Sequence, residues 1–321
     1  MDRNKKKLFW LVLAGLFCIV FLTLLTISFY GYVLEKIGVE YAENSRTYDR
    51  YFVMIVGNTE SQFWKDTYTC VREEAAAQNA YVELKGTSQS SSYTMTDFMD
   101  MSIAAKVDGI LLECTAEEAL EGKINEANEK GIPVVTILND APKTGRKSYV
   151  GINPYQLGQE YAAQIWNILP KEKENLRITV LLHDNAIDSN QSQIFSQINN
   201  LMVTSEETQG RVRVEEIRIS SERAFESEEI VWNLFQNDHG APDIIVCMDE
   251  VDTEAVYQAV IDYNRVGETQ GIGYYKSPAT LEAVRRGTMA MSLYIDTEQM
   301  GKYSVQAMME CIRDGRTNSF Y

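Results

Sequence analysis

Histidine is nearly absent from this 321-residue sequence, with two copies, and cysteine is sparse, with five. The cysteines, at positions 18, 70, 114, 247 and 311, form no CxxC pair and no cysteine–histidine cluster of ligand spacing, which argues against a metal centre. Cys114 and Cys247 fall in apolar strand-like runs and Cys70 and Cys311 in helical ones, so buried free thiols are expected rather than a disulfide framework. No P-loop, GxGxxG, GxSxG or HExxH is present. His183 ends a strand-like run, where it can face a cleft, whereas His239 lies in an Asn237-Asp238-His239-Gly240 turn. This inventory predicts neither an enzyme nor a cofactor.

Positive charge is also short. Lysine and arginine total 30 against 46 acidic residues, a net charge of -16; the first seven residues contribute +3, so the remainder carries -19. Such a surface repels phosphate backbones and excludes nucleic acid as a partner. What remains is ordinary globular composition, 45% hydrophobic and 24% charged, in a chain longer than one average domain.

The N-terminus sets the expected compartment. Lys5, Lys6 and Lys7 precede 23 uncharged residues from Leu8 to Tyr30, a length sufficient to cross a bilayer. A cleavable signal peptide has a shorter apolar stretch followed by small residues, which Ser28-Phe29-Tyr30 do not supply. The expected order is a cytoplasmic basic tail at 1–7, a transmembrane anchor at 8–33 and a polar stalk at 34–49, with the bulk of the chain extracytoplasmic.

From Arg50 onward, strand-like runs alternate with helical periodicity. Strands are predicted near 51–57, 81–85, 109–113, 133–138, 178–183, 212–219, 243–248 and 270–273, too many for one comfortable sheet. The fold class predicted is α/β, two doubly wound parallel-sheet lobes joined by a hinge: residues 50–152 plus 276–321 in lobe 1 and 153–275 in lobe 2. In such sheets ligands bind beyond the carboxyl ends of strands, which directs attention to 58–64, 114–117, 138–142, 184–190, 249–253 and 274–277.

Val107-Asp108-Gly109-Ile110, Gly131-Ile132-Pro133-Val134-Val135-Thr136-Ile137, Asp140-Ala141-Pro142 and Tyr149-Val150-Gly151-Ile152-Asn153 follow one another in collinear order. Asp249-Glu250, Gly271-Ile272-Gly273-Tyr274 and Asp296 through Met300-Gly301 continue the series. Over about residues 50–321 the chain resembles the ribose/galactose-type periplasmic binding proteins, and is similar to the ligand-binding half of lactose-repressor-type regulators. No helix-turn-helix precedes the match.

The resemblance implies two lobes closing on a small, carbohydrate-like ligand. It places Phe63 and Trp64 as aromatic platforms for a sugar ring, Asn153 as a polar residue near the hinge and Glu250 as a carboxylate accepting from sugar hydroxyls. From the residues alone, Phe63 and Trp64 also suit the core face of a helix, Asn153 a helix cap, and Glu250 a solvated helix N-terminus. Where the family has an aspartate after the Ile-Pro-Val strand, this chain has Leu138, followed by Asn139 and Asp140. The family's arginine falls on Ile194, a second aspartate on Tyr275, and a glutamine on Ile295. These departures predict weak recognition of simple ribose or glucose and a less hydroxylated or larger ligand. The implied partners are an ABC-type permease or, equally compatible with an anchor and stalk, a sensor such as a histidine kinase. The chain ends at Tyr321, about where the resemblance expects a last return strand.

Overall fold

Buried β-branched and aliphatic runs dominate the strands. In the computed structural model, which describes residues 10, 13, 15–17, 20–26, 28–29, 47–88, 92–114, 118–183, 190–219, 226–236 and 240–321, they assemble into two five-stranded sheets. The first contains β1 (Arg50–Val56), β2 (Ala80–Gly86), β3 (Gly109–Leu112), β4 (Val134–Leu138) and β5 (Ser148–Gly151) in the order β2-β1-β3-β4-β5. The second contains β6 (Leu176–Leu182), β7 (Val212–Arg218), β8 (Ile244–Val246), β9 (Gln270–Tyr274) and β10 (Met291–Leu293) in the order β10-β9-β8-β6-β7. Every neighbouring pair is parallel.

Helices α1 (Gln62–Ala77), α2 (Met95–Ala105), α3 (Glu118–Glu129) and α9 (Thr297–Asp314) cover the first sheet; α4 (Pro154–Ile168), α5 (Asn190–Thr204), α6 (Glu226–Gln236) and α7 (Glu250–Asp262) cover the second, and α8 (Pro278–Arg285) packs on α7. Strand alternation divides the cores. Phe52, Met54 and Val56 join α1 and α9 on one face of the first sheet, while Val53 and Ile55 join α2 and α3 on the other. The second sheet repeats this, with Ile178, Val180 and Leu182 against α4 and α5 and Leu181 against α6 and α7. Burial on both faces is why these strands read as continuous apolar runs.

The predicted lobe boundary at 275 shifts. Strand β10 pairs with β9 through Met291–Ile272, Ser292–Gly273 and Leu293–Tyr274, so residues 276–293 remain with the second sheet and the return to the first follows Leu293. Only three residues long and half-buried, β10 lacks the pattern that would have marked it. At the terminus an isolated parallel bridge joins Phe320 to Tyr149 at the edge of the first sheet: Tyr149 N–H donates to Ser319 O at 3.1 Å, and Tyr321 N–H to Tyr149 O at 2.9 Å.

The chain divides into Met1–Thr47 and Tyr48–Tyr321. In the first unit, described residues from Trp10 to Phe29 are helical, and their large apolar side chains are exposed, Phe17 at 72%. Among the described residues no helix is long and apolar enough to cross a membrane. The rest of the expected span, including Cys18, and the stalk as far as residue 46 lie outside the described residues. Among those described, Cys70, Cys247 and Cys311 are free thiols.

Helix α1, which carries the expected aromatic platform, is seated by a close crossing with α9. A Cβ at Gly301 would lie 2.7 Å from Cys70 Cβ and 3.0 Å from Val71 N. Gly301→Val should therefore lower stability by about 1–3 kcal/mol through overpacking. The expected readout is a lower urea midpoint at unchanged slope.

Candidate functional site

Strand order reverses between β1 and β3 in the first sheet and between β6 and β8 in the second. Crossover helices leave opposite faces at such a point, and a crevice opens at the carboxyl ends of the strands. The described residues there are Gly57 to Phe63 after β1, Glu113 after β3, His183 after β6, and Asp249 to Asp252 after β8.

The two crevices face each other and are tied by Glu250. Its carboxylate accepts from Gln62 N–H at 3.0 Å and Phe63 N–H at 2.9 Å, so a side chain of the second lobe caps the first turn of α1 in the first. Ser61 Oγ, the local cap, takes only Trp64 N–H at 3.4 Å. Helix N-termini leave backbone donors unpaired and carry positive partial charge, so a carboxylate is a favourable partner. Glu113 accepts from Gly57 N–H at 2.7 Å within the first lobe.

In the second lobe, His183 Nε2 lies 2.8 Å from Asp252 Oδ2 without the alignment of a directed hydrogen bond. Asp252 is fully buried, and its other oxygen has no hydrogen-bond partner. Asp249 caps α7 by accepting from Val251 N–H at 2.7 Å. Burial works against charge on His183, but the Asp252 carboxylate and the nearby Asp249 and Glu226 outweigh it and raise the imidazole to about 9. Burial raises Asp249 to about 6, with His183 opposing and Asp252 and Glu250 adding to the rise. Glu113 rises to about 7, again through burial, offset by the Gly57 N–H and reinforced by Asp249. The Tyr274 phenol is pushed well up by burial and by Tyr161, Asp249, Glu250 and Glu113, which places it in the field of carboxylates from both lobes.

The sequence-predicted residues separate into groups. Phe63 and Trp64 are 2% and 4% exposed and belong to the apolar cluster of the first lobe; Phe63 also meets Tyr275 edge-on at 5.3 Å between ring centroids and Tyr274 at 6.1 Å. Both thus lie on the core face of α1, Phe63 at its edge against the residues that end β9, and neither presents the exposed platform that the resemblance implies. Asn153 is the cap of α4, accepting from Tyr155 N–H at 3.0 Å and Gln156 N–H at 3.3 Å. Asp140 is held in its own loop by Ala141 N–H and Arg146, and Asn139 follows Leu138 half-buried. Tyr275 is fully buried, donates to the Asp66 carboxylate and has φ +66°. Leu138 has the same φ of +66°, and its carbonyl receives Asn190 Nδ2 from the second lobe at 2.9 Å. Positive φ is strained for such side chains; Leu138 ends β4 beside Gly151, and Tyr275, just past β9, donates its N–H to Leu293 O at 2.8 Å, so each lies against a residue from which the chain leaves its lobe. Ile194 is 4% exposed in the second lobe's core, and Ile295 packs against the first lobe's core.

Glu113, Gln62 and Tyr274 carry no motif that marks them in the sequence, and His183 is marked only as a histidine at a strand end. Their one legible mark is position at the end of a buried strand. Segments 115–117 and 184–189, also expected at the cleft, lie outside the described residues. Away from the site, a cavity of about 930 Å³ lies at the amino ends of the first sheet's strands, lined by Arg50, Lys106, Lys130 and Lys147 among others. Helices α2, α3 and α9 end there, and cations complement the negative ends of their dipoles.

A family model described as "Periplasmic binding protein domain" matches residues 52–317. No curated protein matches the sequence. Among solved structures, GanP, a glucose-galactose binding protein from Geobacillus stearothermophilus, is 22% identical, with 85% of this chain and 94% of that chain covered and a TM-score of 0.72. The XylFII-LytSN complex contains a chain 24% identical, with 84% and 94% covered and a TM-score of 0.71. A carbohydrate transporter solute binding protein from Agrobacterium radiobacter in complex with D-arabinose is 16% identical, with 84% and 91% covered and a TM-score of 0.72. At these identities the likeness establishes the fold.

Removing the Glu250 carboxylate strands two backbone donors of α1, at about 1–3 kcal/mol each. Glu250→Ala should therefore shift the ligand-free protein toward an open pair of lobes, measured as a larger radius of gyration by small-angle scattering, with the unfolding slope little changed. The His183 pair gives a pH test. A raised folded-state pKa contributes stability that is complete below the ordinary value of 6.5 and is lost as pH rises through about 9. Asp249, at about 6, has lost nearly all of its share by pH 7, and Glu113, at about 7, is half-titrated there and adds only a small further loss above it. Stability should thus fall by roughly 2 kcal/mol between pH 7 and 9, and Asp252→Asn should flatten that decline in a thermal-melt series.

Proposed function

The chain belongs to the periplasmic binding protein domain family, and we propose that it is a membrane-anchored, extracytoplasmic solute-binding protein that captures a small, carbohydrate-like ligand between its lobes for an ABC-type importer. It catalyses no reaction. The observation that carries this reading is the pairing of two strand-order reversals into one facing crevice, bridged by the Glu250 contact to α1. A bridge made of two hydrogen bonds is reversible and of a size that ligand binding can offset or replace. The connections that would absorb such a motion follow β5 and β10, and the positive-φ residues Leu138 and Tyr275 lie beside them.

The sugar ligands of the similar structures support the carbohydrate-like class, and the uncharged stretch from Leu8 to Tyr30 behind three lysines supports the anchor. One observation favours a second reading, a ligand-binding receptor that signals to a membrane partner: the similar XylFII is found in a complex with LytSN. Both readings share the ligand site and differ in what the closed form contacts.

A panel of sugars, polyols, nucleosides and amino sugars tested by thermal shift on the full chain checks the reading. A cognate ligand at 100 times its dissociation constant should add about 2.7 kcal/mol. Ribose and glucose should rank low, since Tyr275, Leu138, Ile194 and Ile295 leave their hydroxyls without the polar partners that the resemblance places there. Absence of stabilisation by every class would remove the solute-binding reading.

A further inference from the structure

We propose that Asn190 is the pivot of lobe closure: its side-chain amide ties the second lobe to the end of β4 in the first, and this tie stays made while the Glu250 contact opens and closes. The inference rests on the two-lobe capture of the solute-binding reading and names the residue about which that motion turns.

Asn190 begins α5, and its Nδ2 donates to the first lobe twice, to Leu138 O at 2.9 Å and to Tyr149 Oη at 3.1 Å. An amide nitrogen carries two N–H groups, so both are used. Tyr149 Oη in turn donates to Leu138 O at 2.8 Å, which fills the carbonyl's two lone pairs with one donor from each lobe. The first-lobe half of this network is held from behind. Tyr149 is 6% exposed in β5, its backbone bonds Ser319 and Tyr321, its ring meets Phe320 at 5.5 Å between centroids, and the Arg146 guanidinium lies 6.0 Å from the ring centroid.

Leu138 supplies an independent sign. Asn139 N–H donates to Ile137 O at 2.7 Å around it, a three-residue turn, and with φ at +66° the turn has the rare and strained hand. Strain held at one residue points to a role for what that residue orients. Here it orients the carbonyl that receives Asn190.

Position separates this tie from the one made by Glu250. Leu138 pairs with Gly151, the last residue of β5, and Tyr149 lies on β5 itself, so both acceptors sit where the chain leaves the first lobe. Atoms beside a connection move least when the lobes turn about it. Glu250 reaches α1, which follows β1, and β1 stands three places from β5 in the sheet order. A turn about the β5 connection therefore moves the Glu250 contact further than the Asn190 contact.

Small-angle neutron scattering on the full chain in contrast-matched detergent tests this with the wild type, Glu250→Ala, Asn190→Ala and the double variant, each checked for folding by its thermal midpoint. Asn190 is the first residue of α5, a position where alanine suits the helix. Adding Asn190→Ala to Glu250→Ala should free the pivot and enlarge the radius of gyration further, by about 1 Å or more on the roughly 19 Å of a compact unit the size of Tyr48–Tyr321. Adding Tyr149→Phe instead, which removes one of the two acceptors, should give a smaller increase of the same sign, and it carries the test by itself if Asn190→Ala does not fold. A double variant no larger than Glu250→Ala would show that opening already breaks the Asn190 tie, which overturns the pivot and leaves the solute-binding reading intact. No change of radius in any variant would count against lobe motion itself, and so against both.

Discussion

Parallel pairing is the constraint from which the rest of this molecule follows. Each parallel strand must be reached by a crossover, so all strands of a sheet point their carboxyl ends to one edge. The order β2-β1-β3-β4-β5, mirrored by β7-β6-β8-β9-β10, makes successive crossovers diverge to opposite faces at β1/β3 and at β6/β8. The gap left at each divergence cannot be filled by a helix. Because the connections after β5 and β10 pass between the sheets at that same edge, the two gaps come face to face.

Charge in the crevice has a common origin in this geometry. Helices beginning at the strand ends present unpaired N–H groups, and carboxylates are favoured beside them. Asp249, Asp296 and Ser277 meet this need within their own helices. Glu250 meets it for the helix of the other lobe, turning a local capping rule into a contact between lobes. The same acidic edge then gathers Glu113 and Asp252 with few compensating cations, and His183 is held charged as a consequence. Closure and the electrostatics of the ligand site are therefore coupled through one carboxylate.

Aromatic residues complete the meeting surface. Phe63 begins the core face of α1 and reaches Tyr275, whose phenol donates back to Asp66 on the same helix. The anchoring of α1 is thus shared between its crossing with α9 at Gly301 and contacts from the segment that follows β9. A helix braced from both sides is a rigid platform, and the positive-φ residues Leu138 and Tyr275 mark where backbone strain sits beside it.

The strands and their parallel class were legible in the sequence, because burial on both faces leaves unbroken apolar runs such as Phe52 to Val56 that survive without any knowledge of neighbours. Asn153 as a helix cap was legible as one of two local alternatives, since a cap depends on residues two and three positions away. The family resemblance followed from collinear turns and strand ends. Strand β10 and the boundary after Leu293 were not legible: three half-buried residues become a strand only through pairing with β9. Nor could sequence assign Glu250 its partners, because the N–H groups that donate to it lie 187 and 188 residues away and only the facing of two lobes joins them. Local chemistry determined which residues end each strand, and tertiary structure alone decided which of those ends would share a site.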